Sequence, residues 1–350
     1  MQKILRDSPK HKAFFSSRVF LDTLAQLAPS CTDGHFGGLQ ASAPATSVAP
    51  ASVTLQKRAR AKYLSTAISL SLASLPSSLK DAYWDSYHCS ERIHQRRGKL
   101  VSHYCNCRWC LVCARIRTAK AMKKYFPVFD SWGEKQFLTL TVRNCQADEL
   151  ADTVEAMYQA FHRILKNLCK YSKVHLRGVR KLECTYNVEE KTYHPHFHIL
   201  FEGTSEDGER LIQMWMAKFF DRTDRAAQNC MPANRESIIE LFKYFTKVIS
   251  KARSTQNRLF CPEAMDVIFR AIQGRRTFQS FGFLLPKEEM IETVEDSDGV
   301  VEAWKEVEAE IMWSWSQAVH DWTSDEGEVL TEYEPTVEDK ELVQRIVEMK

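Results

Sequence analysis

The sequence predicts an α+β fold with a mainly antiparallel sheet, and three observations carry that expectation. Residues 136–142, QFLTLTV, are apolar and rich in β-branched side chains, which predicts a strand. Residues 178–186 and 194–201 both alternate in character and are separated by the turn-like stretch 187–192, so they form a strand pair. Before that pair, Leu150, Val154, Met157, Phe161, Ile164 and Leu168 recur at helical spacing, predicting a long amphipathic helix over 148–171. Helices over 209–220 and 236–252 complete the order strand, helix, strand, strand, helix, helix.

The chain has 350 residues, 44% hydrophobic and 11% aromatic, which excludes a wholly disordered chain. With 12 Gly and 11 Pro, collagen-like fibres are excluded as well. The net charge of +3 conceals an asymmetry: residues 286–350 carry 20 acidic and 5 basic side chains, so the body is strongly basic. A basic body fits a polyanionic partner, and the acidic end is expected to be a solvated appendage. Within it, 302–322 is expected to form a helix. Residues 1–79 are expected to be a partly disordered arm, with a linker rich in Ala, Ser, Gly and Pro over 34–54. A Cys-rich basic segment follows over 80–125, then an α+β domain over 126–285 and the partly helical acidic extension over 286–350. The N-terminal stretch is interrupted by charges and has no apolar export signal, so a cytoplasmic protein is expected.

Two clusters suggest metals. In His194-Pro195-His196-Phe197-His198, residues two apart share a strand face, so His196 and His198 present two imidazoles together while Phe197 points into the core. Glu183 on the neighbouring strand, with Lys181 and Thr185 on its face, supplies an oxygen ligand. Five cysteines fall between 89 and 113, and Cys105-x4-Cys110-x2-Cys113 contains the C-x2-C knuckle that wraps tetrahedral Zn²⁺. Cys89 is the first choice for the fourth ligand; Cys107, His88, His94 and His103 compete. Arg108, Arg115, Arg117 and Lys120 crowd this cluster among aromatics and form a candidate DNA-binding surface. The remaining cysteines are expected to be small core residues. A last stripe, Glu240, Tyr244 and Lys247, lies along one helix face.

Together these motifs resemble the rolling-circle plasmid replication initiators of the HUH endonuclease family, in the branch with a single catalytic tyrosine. The resemblance rests on Phe137-Leu138-Thr139-Leu140-Thr141 followed by Asn144, on His194 to Leu200, and on Glu240, Tyr244 and Lys247, in this order. Gly274-Arg275-Arg276-Thr277 and Phe281-Gly282 are similar to the branch's closing segment, and Cys105-x2-Arg108-x-Cys110-x2-Cys113 to its zinc element. The family implies an HUH-like central sheet flanked by helices. It also implies attack by Tyr244 on a phosphodiester of plasmid origin DNA, Mg²⁺ or Mn²⁺ on His196 and His198, and water activation by Glu240. Lys247 then contacts phosphate or positions the phenol, and His194 orients a ligand or touches substrate. Host helicase and polymerase are the further partners implied. Competing readings are an HUH transposase or relaxase, a phosphodiesterase with water as nucleophile, and a zinc-containing DNA-binding protein without catalysis.

Overall fold

The computed structural model describes residues 53–96, 99–242, 249–251, 258–284 and 311–348. At its centre lie β3 (Lys135–Thr141), β4 (Arg177–Asn187) and β5 (Thr192–Glu202). They are joined by β6 (Asn229–Pro232) and β9 (Phe278–Phe281) in an antiparallel sheet ordered β6-β3-β5-β4-β9. The β4–β5 hairpin predicted by alternation is present, with Glu183 opposite His196 and Lys181 opposite His198. The edge strands β6 and β9, at four residues each, are too short to show an alternation of their own. After β9 the chain turns at Gly282 with φ +72°, where an added Cβ would strike the Leu176 carbonyl.

Alternation divides the sheet into two faces. Leu138, Leu140, Leu182, Phe197, Ile199 and Phe201 pack against α4 (Leu150–Asn167) and α5 (Ser205–Lys218). Val179, Phe137 and Leu200 point the other way, into a cluster with Met122, Tyr125 and Phe129 of α3 (Leu111–Asp130) and with Ile238, Leu241 and Phe242 of α6 (Arg235–Phe242). The second face is therefore apolar only along part of its length. Moving along β5 from Leu200 to His198, His196 and His194, the side chains change from covered apolar to polar, and the site begins there.

The N-terminal expectation needs correction. Residues 53–79 are not an arm: α1 (Val53–Ala73) packs against α2 (Lys80–His88), α3 and the C-terminal α8 (Val337–Glu348). Its buried positions are mostly Ala and Ser, which let neighbouring helices approach closely but give no strong apolar period. Ser65 Oγ accepts from the Leu111 backbone N–H at 3.3 Å and so caps α3 from another helix. The call for an arm over 1–52 lies outside the described residues.

The acidic end departs from expectation too. Residues 311–322, placed in a helix over 302–322, contain instead β10 (Ile311–Ser316) and the start of β11 (Asp321–Ser324). Trp313 and Trp322 are buried, so alternation rather than helical period governs here. The rest of the expected helix lies outside the described residues. β10 pairs with β1 (Arg92–Arg96), which pairs with β2 (Lys99–Ser102), giving a four-stranded antiparallel sheet beside the Cys cluster. Far from being solvated, Asp339 is 1% exposed and takes a forked ion pair from Arg60, with Nε and Nη2 at 2.8–3.0 Å. A third difference is a small one: 249–251, expected within a helix, form β7 (Ile249–Lys251), which pairs with β8 (Arg258–Phe260). The helix that follows β8, α7 (Pro262–Ala271), contacts α1 and α4.

Candidate metal centres

Strand register brings together Glu183, His196 and His198. Their ligand atoms all lie within 4.8 Å of one another, and Glu183 Oε2 is 3.6 Å from both His196 Nε2 and His198 Nε2. His196 Nδ1 is 3.1 Å from the His194 carbonyl oxygen, which can only accept, so this nitrogen carries the proton and Nε2 keeps its lone pair. His198 Nδ1 contacts Thr139 Oγ1 at 3.2 Å, and His198 Nε2 is buried with no hydrogen-bond partner. Burial holds the His198 imidazole below its ordinary pKa against the raising effect of Glu183, favouring the neutral, ligating form. An orphaned buried nitrogen, a second imidazole of fixed tautomer and a carboxylate fit a divalent cation.

Two further contacts organise this face. Lys181 Nζ, 2% exposed as a residue, sits 2.6 Å from Glu183 Oε1 and fixes the carboxylate from its other side. The same ammonium lies 3.4 Å from the Glu240 carbonyl oxygen, tying α6 to the site. His194 donates from Nδ1 to Asn144 Oδ1 at 2.9 Å, because the Asn144 amide nitrogen already faces Thr192 Oγ1 at 2.9 Å. Burial first, and then His196, pushes the His194 pKa down to about 4. Glu240 stands half-buried near the end of α6; Tyr244 and Lys247 lie outside the described residues.

The second centre gathers Cys89, Cys105, Cys110 and Cys113, again with ligand atoms within 4.8 Å. Cys113 Sγ lies 3.5 Å from Cys89 Sγ and 3.7 Å from Cys105 Sγ, and all four are free thiols. A tetrahedron with metal–sulfur bonds of about 2.3 Å has edges of about 3.8 Å, so the set fits Zn²⁺. Burial pushes the Cys110 thiol up, yet hydrogen bonds from Cys105, Cys113 and Cys89 outweigh it and hold Cys110 well below the ordinary range. Cys107 turns away toward the Ala82 and Cys105 carbonyls, His88 pairs with Glu91 at 2.8 Å, and His103 is exposed. Lys62, 1% exposed with Nζ 2.6 Å from the Tyr87 carbonyl oxygen, brings a cation beside these thiols; a lysine in a Ser/Ala-rich helix gave no sign of that role.

The basic residues around the cluster separate. Arg117 is 6% exposed and donates to the Cys107 and Asn106 carbonyls, so it braces the knuckle and does not form part of a DNA surface. Arg108 reaches the Ile272 carbonyl at 3.4 Å, joining the knuckle to α7. Arg115 is partly buried, and desolvation together with Arg58 lowers its pKa to about 10. Lys120 is half-buried on α3. Among the other cysteines, Cys145 and Cys184 are core residues as expected, whereas Cys169 is exposed beside His175.

Residues 98–206 match the family model described as Replication protein. That segment is similar to the replication proteins of this family. A protein rep from a Bacillus sp is 35% identical over 127 residues, covering 32% of this chain and 40% of that relative. The protein rep of Bacillus amyloliquefaciens is 34% identical over the same length, covering 32% and 36%. That of Staphylococcus aureus is 28% identical over 186 residues, covering 47% of this chain and 80% of the relative. The matches thus span about two fifths of the two Bacillus relatives. No solved structure matches. The matched segment contains Cys105, Cys110, Cys113, Glu183, His196 and His198, and it ends before Glu240. Among the described residues, no helix is long and apolar enough to cross a membrane.

Proposed function

We propose that this Rep-family chain initiates plasmid replication by nicking one strand of origin DNA through Tyr244. The observation that carries the reading is the Glu183–His196–His198 cluster on the polar end of a sheet face whose apolar end is covered by α6, the helix that precedes Tyr244 in sequence. A divalent cation held by these three side chains supplies Lewis-acid polarisation of a phosphate. Lys181 orients Glu183, Thr139 orients His198, and the His194 carbonyl fixes the His196 tautomer, so the donor set is organised in advance.

Tyr244 loses its phenolic proton and its oxygen attacks phosphorus. The bond to the 3′ oxygen breaks, leaving a 5′-phosphotyrosyl linkage and a 3′-hydroxyl that primes synthesis. A free tyrosine has a pKa near 10, so this step needs the electrostatic help of the site. Glu240, four residues before Tyr244 in sequence, is assigned to activating water when the linkage is resolved. Lys247 is assigned to a phosphate contact. Zn²⁺ on Cys89, Cys105, Cys110 and Cys113 would join the end of α2, the segment after β2 and the start of α3, and Arg115 and Lys120 are assigned to the DNA backbone. Two histidines with one carboxylate favour Mn²⁺ over the harder Mg²⁺.

Relaxation of supercoiled plasmid tests this reading. The wild type is expected to nick in Mn²⁺, and both Tyr244→Phe and His198→Ala to lose nicking. Unchanged nicking by Tyr244→Phe points instead to a phosphodiesterase using water.

A further inference from the structure

The loop after α5 holds a phenylalanine out into solvent at the same end of the sheet as the histidines. Phe220 is 89% exposed, yet its neighbours are fixed. Phe219 is buried against Trp215, with ring centroids 4.6 Å apart. Its carbonyl oxygen accepts from the Arg222 N–H and from Thr223 Oγ1, both at 2.9 Å. Arg222 Nη2 in turn donates to Thr153 Oγ1 at 3.0 Å. Phe220 is thus displayed by an anchored turn, and its exposure is a property of the fold.

The position of that turn indicates what the ring meets. Thr141, the last residue of β3, is the register partner of His196. Two residues further on, the Arg143 backbone N–H donates to the Arg222 carbonyl oxygen at 2.7 Å, which attaches the loop to the continuation of β3. The next residue, Asn144, holds His194. Phe220 therefore stands on the rim where the open polar face ends, with Arg143 exposed beside the point of attachment. An exposed aromatic ring on a turn that is hydrogen-bonded to the backbone of an exposed arginine has the chemistry for stacking an unpaired base while a phosphate of the same strand is neutralised.

The geometry points to Phe220 as a stacking platform for an unpaired base of single-stranded DNA, with Arg143 as its phosphate contact. This rests on the reading of the face as a DNA-nicking site, but its test is separate from cleavage. The probe is a mixed-sequence single-stranded oligodeoxynucleotide carrying one 2-aminopurine, bound to the full chain. Phe220→Ala and Phe220→Leu should weaken binding about five- to a hundredfold and reduce 2-aminopurine quenching, while Phe220→Tyr and Phe220→Trp retain both. Affinity for the matching duplex should change less than about twofold, and Mn²⁺ affinity should be unchanged. Phe220→Ala and Phe220→Leu binding the single strand as tightly as wild type, with equal quenching, overturns the proposal and leaves the nicking reading standing. Loss with Phe220→Ala but not with Phe220→Leu also overturns it, because apolar contact then suffices without stacking. If the chain forms no adduct at Tyr244, the nicking reading fails, and quenching at Phe220 still decides this one.

Discussion

Glu183 and His196 are direct register partners on β4 and β5, and the Glu183 carboxylate lies equally close, at 3.6 Å, to the Nε2 atoms of His196 and His198. One acidic oxygen thus faces both imidazoles while its twin is held by Lys181 at 2.6 Å. Removing a ligand should abolish tight Mn²⁺ binding: His198→Ala is expected to lose it in equilibrium titration. Thr139→Val, which spares all three ligands and removes only the hydroxyl at His198 Nδ1, should weaken it about tenfold or more. Equal affinity of Thr139→Val and wild type would show that the hydroxyl does not position the ring.

Cysteine thiols held this close call for a metal. Purified chain should contain one Zn²⁺ per molecule, and Cys113→Ser, at the centre of the two closest sulfur contacts described, should lose it. Chelation should lower the melting temperature because the end of α2, the segment after β2 and the start of α3 meet at the cluster. Metal analysis beside calorimetry checks both.

Arg60 and Asp339 join the two ends of the described chain through a buried fork. Asp339 also accepts from Tyr333 Oη at 3.0 Å. Asp339→Ala leaves Arg60 without its counter-ion and should cost about 3–5 kcal/mol in denaturant unfolding. A loss below about 1 kcal/mol would mean that the acidic end contributes little to the fold.

His194 gives a pH signature. Its folded pKa, about 4, lies below the unfolded value, so between about 6.5 and 4 the unfolded chain binds a proton that the folded chain refuses. Stability should therefore fall as pH drops through that window, by up to about 3 kcal/mol from this group. His194→Gln should flatten that part of the stability profile, and an unchanged slope would assign the effect elsewhere.

The central hairpin and the His pair were legible because a two-residue period is unambiguous when it places His196 and His198 on one face and Phe197 and Ile199 on the other. Glu183 followed from the same parity once the strands were taken as neighbours. The Cys knuckle was legible from spacing and Cys89 was the first choice for its fourth ligand, but setting Cys107 aside needed the side-chain directions. α1 was not legible, since its buried Ala and Ser residues look like a linker until other helices close on them. The acidic end misled by charge: Asp321 accepts from the Thr331 and Tyr333 backbone N–H groups at 3.0 and 3.3 Å, and no pattern of charges announces a buried, satisfied carboxylate. Phe220 gave no signal at all, because exposure of a single aromatic is set by the turn that carries it.

The central claim is that Tyr244 forms a covalent bond to DNA. The full chain would be incubated with supercoiled plasmid carrying its origin and Mn²⁺, then denatured and examined for protein-linked DNA beside Tyr244→Phe. A 5′-linked adduct in the wild type and none in the mutant is the predicted result. Nicked DNA with free 5′-phosphate ends, formed equally by both proteins, would contradict the account.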